Sequence, residues 1–484
     1  MSSKVKQYFK GIRKPTRLVS GVSVVALMTH PHPCPHGRCI YCPGGIDQGT
    51  PQSYIERSPA VMRAVALNYD PYLQVRERLY QYIKMGHKPS KVELIIMGGT
   101  FPAMPLDYQE WVIAQALEAL NRFPRGKPKG WIYLEDAIRK NEKAKIRCVG
   151  LTIETRPDWS KERHVDRFLC LAATRIELGV QSIYDDVLLK IKRGHTVKDV
   201  ITATRILKDA GYKVAYHMMP GLPGSDIDRD YEMFVEIFKN PDYRPDMLKI
   251  YPTLVMPGTE LFEMWKKGEY MPYALEELIE LIIRVKSIVP PYMRIIRIQR
   301  DVPISAIAAG LKIGNFRQVI KEYMERRGIK CRCLRCREAG RYLLYKGEIP
   351  SPKNAKITKM YYNASGGIEV FISVEDPHLD IVFGFLRLRI PSENAHRWEV
   401  DERTAIIREL HVYSPQVPVG DKHSIWWQHK GFGKMLINEA ESIALDEFDK
   451  NKILVISGVG VREYYRRLGY RKLKGSFYMY KKLH

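Results

Sequence analysis

Apolar residues over the first 300 positions fall into short β-branched runs separated by longer amphipathic stretches. Gly21–Met28, Lys91–Met97, Cys148–Ile153, Arg175–Val180, Lys213–Met219 and Met247–Tyr251 have the length and composition of strands. Between them Asp107–Asn121, Lys161–Ala172, Val197–Ala210 and Asp228–Phe238 repeat apolar positions at helical spacing. Near-continuous apolar strands with helical crossovers specify a parallel sheet covered by helices, an α/β barrel or part of one. Six such strands predict an incomplete (β/α)6 TIM-like barrel, open on one side.

Each run is followed by polar or glycine-rich chain: His30-Pro-His-Pro-Cys34, Gly98-Gly99-Thr100, Glu154-Thr-Arg-Pro-Asp158, Gln181-Ser182, Pro220-Gly-Leu-Pro-Gly224 and Pro252-Thr253. The carboxyl ends of parallel strands are where α/β barrels build active sites. Over 301–345 the pattern turns helical and basic, with Lys321, Arg326, Arg327, Lys330, Arg332, Arg335 and Arg337 around three cysteines. A different rhythm starts near Tyr361. Ile368–Val374, Ile381–Arg389 and Ala405–Val412 read as strands, a glycine-rich turn over Gln428–Lys434 opens the helix Met435–Phe448, and the strand Ile453–Ile456 follows. The expected division is a basic segment over 1–18, a partial barrel over 19–300, a basic helical linker over 301–345 and an α+β domain over 346–484.

A chain of 484 residues exceeds one compact core, and 45% hydrophobic with 27% charged residues is the balance of a folded protein. Lysine and arginine total 78 against 54 acidic residues, a surplus of 24 that points to a polyanionic partner. No apolar run reaches the ~18–20 residues of a membrane helix. The basic Met1–Arg17 followed by apolar Leu18–Met28 imitates a signal peptide. It lacks a small-residue cleavage site, however, and Val22, Val24 and Val25 suit a buried strand. The expectation is a cytoplasmic protein with no membrane partner.

Six of the eight cysteines form two tight triplets, Cys34/Cys39/Cys42 and Cys331/Cys333/Cys336. That is metal-ligand spacing in a reducing compartment, whereas Cys148 and Cys170 sit in apolar contexts as core residues. Three thiolates on one loop hold three irons of a [4Fe–4S] cluster and leave the fourth open. The alternative is zinc, with His30, His32 or His36 as fourth ligand. Three soft ligands in the second triplet favour zinc or a second iron–sulfur cluster, and any histidine of the C-terminal half could complete it.

The first triplet, its place after the first strand and the following Gly98-Gly99-Thr100 resemble the radical S-adenosylmethionine superfamily. The resemblance implies that the open iron chelates S-adenosylmethionine, and that an electron donor drives its cleavage to a 5′-deoxyadenosyl radical. Four residues between Cys34 and Cys39, rather than three, depart from the commonest spacing of that superfamily. Gly98, Gly99 and Thr100 then correspond to the cofactor's amino-group site, and Glu154, Gln181 and His217 are candidates for contacting it.

The turn Gln428-His-Lys-Gly431-Phe432-Gly433-Lys434 aims several free amides of a helix start at one spot, which makes a pyrophosphate cradle. Neither the P-loop Gly-Lys-Ser/Thr nor the acidic residue of a Rossmann turn accompanies it. With Arg408-Glu-Leu-His-Val412 before it and Tyr464-Tyr-Arg-Arg-Leu-Gly-Tyr470 after, the segment is similar to the GNAT acetyltransferase fold. That implies acetyl-CoA on Glu409, Leu410, His411 and Val412 of the strand, on Gln428, Gly431, Phe432, Gly433 and Lys434 of the turn, and on Tyr465. Tyr464 and Tyr465 lie near the thioester by the same resemblance.

The two halves together, with Val92-Glu-Leu-Ile-Ile-Met-Gly-Gly-Thr-Phe101, Tyr251-Pro-Thr-Leu-Val255 and Ser457-Gly-Val-Gly-Val-Arg462, resemble the catalytic subunits of Elongator in their archaeal form. The resemblance runs from about Lys14 to the C-terminus. It implies a tRNA uridine(34) acetyltransferase that uses acetyl-CoA and the deoxyadenosyl radical to place a carboxymethyl group on carbon 5 of the wobble uridine in the anticodon stem-loop. Lys91 matches a position that touches acetyl-CoA, and it joins Tyr464 and Tyr465 as a catalytic candidate. Cys331, Cys333 and Cys336 become a zinc site in a linker whose arginines face RNA phosphates. Members carry a basic tRNA-binding segment ahead of the barrel, and only residues 1–18 stand there in this sequence. A homodimer is left open. The competing readings are a protein lysine acetyltransferase with a structural cluster, and a tRNA-binding scaffold without turnover.

Overall fold

The computed structural model describes residues 9–17, 19–416, 427 and 431–484. Seven parallel strands pair in chain order: β1 (Ser23–Met28), β2 (Lys91–Met97), β3 (Arg147–Thr155), β4 (Arg175–Gln181), β5 (Lys213–Met218), β6 (Met247–Ile250) and β7 (Arg294–Arg297). The first six coincide with the six expected runs. The seventh is only Arg-Ile-Ile-Arg, too short and too charged at its ends for periodicity to mark it. The sheet is an open barrel wall with β1 and β7 at its edges. Helices Pro71–Lys84, Leu106–Arg122, Glu162–Cys170, Val197–Asp209, Ile227–Lys239 and Leu275–Ile288 follow the strands in turn. Their starts are fixed locally: Asp70 accepts from Leu73 N at 3.0 Å ahead of Pro71, and Thr196 with Asp199 forms a capping box.

The period of two along β2 sorts its side chains. Val92, Leu94 and Ile96 are buried in the core, while Lys91, Glu93, Ile95 and Met97 line the lumen. The same alternation brings Arg175, Glu177, Gly179 and Gln181 of β4 and Met247 and Lys249 of β6 into it.

The second sheet contains β8 (Lys356–Ala364), β9 (Gly367–Asp376), β10 (Ile381–Ile390), β11 (Thr404–Val412), β12 (Lys452–Val455), β13 (Arg471–Lys472) and β14 (Met479–Lys482), in the order β13-β14-β12-β11-β10-β9-β8. β8 to β11 are antiparallel, and β11 runs parallel to β12. The helix expected to reach Phe448 runs over Phe432–Ser442 and then widens into a π turn at Ile443–Glu447. One face of this sheet closes the amino-terminal mouth of the barrel. Phe371, Phe385, Ile406 and Leu454 join the barrel's own core, and a Cβ on Gly458 would stand 2.2 Å from the Val149 carbonyl oxygen. Between the halves lies a layer of buried charge: Arg408 and Arg387 on Asp246, and Arg389 on Asp209. Helices Phe316–Arg326, Leu334–Arg337 and Ala339–Lys346 connect them. Among the described residues no helix is long and apolar enough to cross a membrane.

Candidate active site: a lumen with a site at each mouth

One cavity of about 1940 Å³ runs from the cysteine loop after β1, through the lumen, to the glycine turn of the second sheet. At the carboxyl mouth the three cysteines are ordered by local contacts. His36 Nε2 lies 3.2 Å from Cys39 Sγ, the Thr100 hydroxyl donates to Cys34 Sγ at 3.5 Å, and Cys42 Sγ lies 3.1 Å from Ser53 Oγ. Arg193 donates to Cys39 Sγ at 3.7 Å and to the Gly179 carbonyl at 2.6 Å. Gly98 has φ 144°, and a Cβ there would lie 1.9 Å from Thr29 Oγ1. A Cβ on Gly99 would lie 3.5 Å from Cys34 Sγ. Glycine therefore meets the close approach to Thr29 at position 98 and supplies the positive φ at both positions.

Tetrahedral zinc with bonds of about 2.3 Å sets its sulfurs ~3.8 Å apart. Among the described residues, the cysteine triplet gathered within 4.8 Å is Cys331/Cys333/Cys336; Cys34/Cys39/Cys42 is not gathered so tightly. The wider first triplet suits a cluster, and the compact second one suits a single ion.

In mid-lumen Lys249 donates to Glu154 at 2.8 Å and also contacts Glu177. Tyr54 donates to Glu154 at 2.7 Å, and His217 Nε2 lies 2.8 Å from Glu177. Burial alone would raise the Glu154 carboxyl, but Lys249 and His217 hold it below the usual carboxylate value. Burial, helped by Lys249, lowers His217, so its imidazole is neutral at pH 7 and donates to Glu177. Gln181 closes β4 with φ 72°, a strained value for a residue with a side chain, and its buried Oε1 has no partner among the described residues. Glu154, Gln181 and His217 thus share the lumen. Tyr54, Glu177, Lys249 and Arg193 escaped the sequence reading. Their signal was a charge inside an apolar strand, Glu177 in Ile-Glu-Leu and Lys249 in Leu-Lys-Ile.

At the amino mouth Lys91 begins β2. Burial, with Arg147 beside it, lowers its ammonium to about 8. Pairing of β11 with β12 ends at Ile407 opposite Val455, while β11 continues to Val412. Beyond that point the stretch Arg408–Val412 borders a wedge beside β12, the shape that admits an extended ligand arm. Glu409, Leu410, His411 and Val412 line the cavity there, with Gly431, Phe432, Gly433 and Lys434 at the helix start and Tyr464 and Tyr465 opposite. A Cβ on Gly433 would stand 2.5 Å from the Tyr464 hydroxyl, and burial pushes that phenol up to about 12. Glu409 is held by Arg387 at 2.9 Å, and His411 Nε2 meets the Ser20 carbonyl at 2.8 Å. Gln428 lies outside the described residues.

The compact triplet lies in the linker. Cys333 is fully buried, Cys331 half-buried and Cys336 exposed, with Lys286 Nζ 3.7 Å from Cys336 Sγ. Among the described residues no fourth ligand joins these three.

The profile of the radical SAM superfamily matches residues 28–236, and that of the radical SAM C-terminal domain matches 245–326. The tRNA uridine(34) acetyltransferases of Methanocaldococcus infernus and Methanocaldococcus jannaschii are each 52% identical over 465 residues, 95% of this chain and 86% and 85% of theirs. Elongator complex protein 3 of Homo sapiens is 45% identical over 472 residues, 96% of this chain and 85% of that one. The solved structure of archaeal Methanocaldococcus infernus Elp3 with an N-terminal deletion superposes with a TM-score of 0.83 at 49% identity, covering 96% of this chain and 100% of that one.

Proposed function

The chain belongs to the Elongator complex protein 3 family within the radical SAM superfamily, and from that premise we propose that it is a tRNA uridine(34) acetyltransferase forming 5-carboxymethyluridine. One observation carries the reading: a single lumen joins the wide cysteine triplet to the acyl wedge. A radical site and an acetyl-donor site sharing one chamber have a purpose if one reacts with the cargo of the other. Seven residues of β2 separate the mouths, ~20 Å at about 3.3 Å per residue, so the acetyl group must be carried into the lumen on its arm.

A [4Fe–4S] cluster on Cys34, Cys39 and Cys42 with S-adenosylmethionine supplies, when bound, the 5′-deoxyadenosyl radical that takes hydrogen from the acetyl methyl. The remaining roles belong to side chains. Gly98, Gly99 and Thr100 leave room for the cofactor's amino group beside Cys34, and Glu154, Gln181 and His217 orient it from the lumen wall. Gly431, Phe432, Gly433 and Lys434, together with Gln428, hold the diphosphate of acetyl-CoA at a helix start. The stretch Glu409–Val412 of β11 binds its pantetheine arm. Tyr464 and Tyr465 flank the thioester, and Lys91, with its lowered ammonium, serves as the base for thioester hydrolysis. Cys331, Cys333 and Cys336 hold a structural zinc. The boundaries at 18, 300 and 345 belong to the same proposal.

Anaerobic reconstitution with tRNA, acetyl-CoA, S-adenosylmethionine and a reductant, followed by nucleoside mass spectrometry, tests it. We expect 5-carboxymethyluridine from the parent and none from Cys39→Ser. Unmodified uridine with a fully loaded cluster would sink the proposal. Peptide acetylation surviving in Cys39→Ser would favour the protein acetyltransferase reading instead.

A further inference from the structure

The linker arginines do not share one environment. Arg337 pairs with Glu375 and, at 2.8 Å, with Asp380; Arg332 reaches Asp380 at 3.4 Å, and Arg327 reaches Glu280 at 2.6 Å. These spend their charge on the protein. Arg335 does not. It turns into the wall of the lumen cavity, its Nε is shielded from solvent, and among the described residues it has no ion pair and no hydrogen bond. Arg317 lines the same wall and donates only to the Ile295 carbonyl at 3.2 Å. Behind them Arg294 at 2.6 Å and Arg341 at 2.8 Å share a single carboxylate, the fully buried Glu338.

Arg294, Arg317, Arg335 and Arg341 all line this wall, and among the described residues Glu338 is the one carboxylate paired with any of them, through Arg294 and Arg341. Guanidinium charge shielded from water is unfavourable unless an anion meets it, and planar forks on one cavity wall suit a phosphate oxygen pair.

We propose that Arg317 and Arg335, backed by Arg294 and Arg341, form a phosphate-ester subsite in the cavity wall, and that its occupant is a phosphodiester of the RNA strand that delivers the uridine. The inference rests on the proposed function for the RNA. A phosphate of CoA shares the chemistry, but the glycine turn at Gly431 already offers a helix start to that ligand.

The test uses the full chain and equilibrium tRNA binding over a salt series, beside acetyl-CoA binding by calorimetry. Arg335→Gln and Arg317→Gln should each weaken tRNA binding roughly tenfold and reduce the slope of log K against log salt by about one. Acetyl-CoA affinity should stay within about twofold. Because Arg335 adjoins Cys336 and Arg317 also lies near the triplet, zinc content is checked in both variants, and a loss of tRNA binding counts for the subsite where zinc is retained. Unchanged tRNA affinity and slope would overturn the subsite, and a loss confined to acetyl-CoA would reassign it to the coenzyme. A parent protein that binds no tRNA would instead bring down the functional proposal itself.

Discussion

Burial takes the Lys91 ammonium out of water, and Arg147 beside it adds repulsion; both push the proton off, to about 8. The sign follows from linkage. The unfolded chain holds that proton up to ~10.5, so between about pH 8 and 10.5 folding stability rises with pH. Two outcomes are expected. Thioester hydrolysis should rise between pH 7 and 9 in the parent. In Lys91→Met it should fall ~10²–10⁴-fold and lose that inflection. A rate profile with the inflection intact would remove Lys91 from the chemistry.

At the scale of elements, two departures from regular pairing make the amino-mouth site. β11 runs five residues past the end of its pairing with β12, and the helix Phe432–Ser442 starts at Gly431 with φ 97°. The linker is the other decisive element. Leu334 N donates to the Met293 carbonyl at 2.9 Å, Arg337 reaches the second sheet, and Glu338 holds Arg294 of β7. The cysteine triplet thus ties β7 to the second domain. Cys333→Ser should release about one equivalent of zinc and lower stability by about 4 kcal/mol or more, read by metal analysis and thermal unfolding. Iron at the first triplet should remain, because that loop is packed elsewhere. Retained zinc in the variant would refute the assignment.

Across the whole molecule the two halves are held in register by buried ions. Asp246 takes both terminal nitrogens of Arg408, at 2.7 and 2.8 Å, and lies 3.6 Å from Arg387, which in turn grips Glu409 of β11. Burial would raise the Asp246 carboxyl, but Arg408 and Arg387 hold it far below the usual range. Its contribution is therefore whole above the ordinary aspartate value of ~3.9 and disappears as pH falls below it. Asp246→Asn should cost about 3–5 kcal/mol and flatten the acid limb of a urea-unfolding series. On the proposed function, the yield of 5-carboxymethyluridine per 5′-deoxyadenosine released should fall as well, since β11 loses its seat on the barrel. An unchanged yield would leave Asp246 a purely structural residue.

Local pattern determined the first six strands, four of the six helices that follow them, both cysteine triplets and the glycine turn, because period and spacing are properties of neighbours in the chain. β7 was not legible: four residues with an arginine at each end bury too little apolar surface to stand out, and they form a strand because β6 is there to pair with. Lys91 read alone is a solvated strand end, and Glu177 and Lys249 read as blemishes in apolar runs. Only the curl of the open sheet turned them inward to one lumen, where Glu177 and Lys249 meet. The composition recorded a surplus of 24 positive charges without its distribution. Tertiary packing paired Arg337 and Arg408 with carboxylates and left Arg335 facing the cavity, because which charges are neutralised depends on residues far apart in the chain.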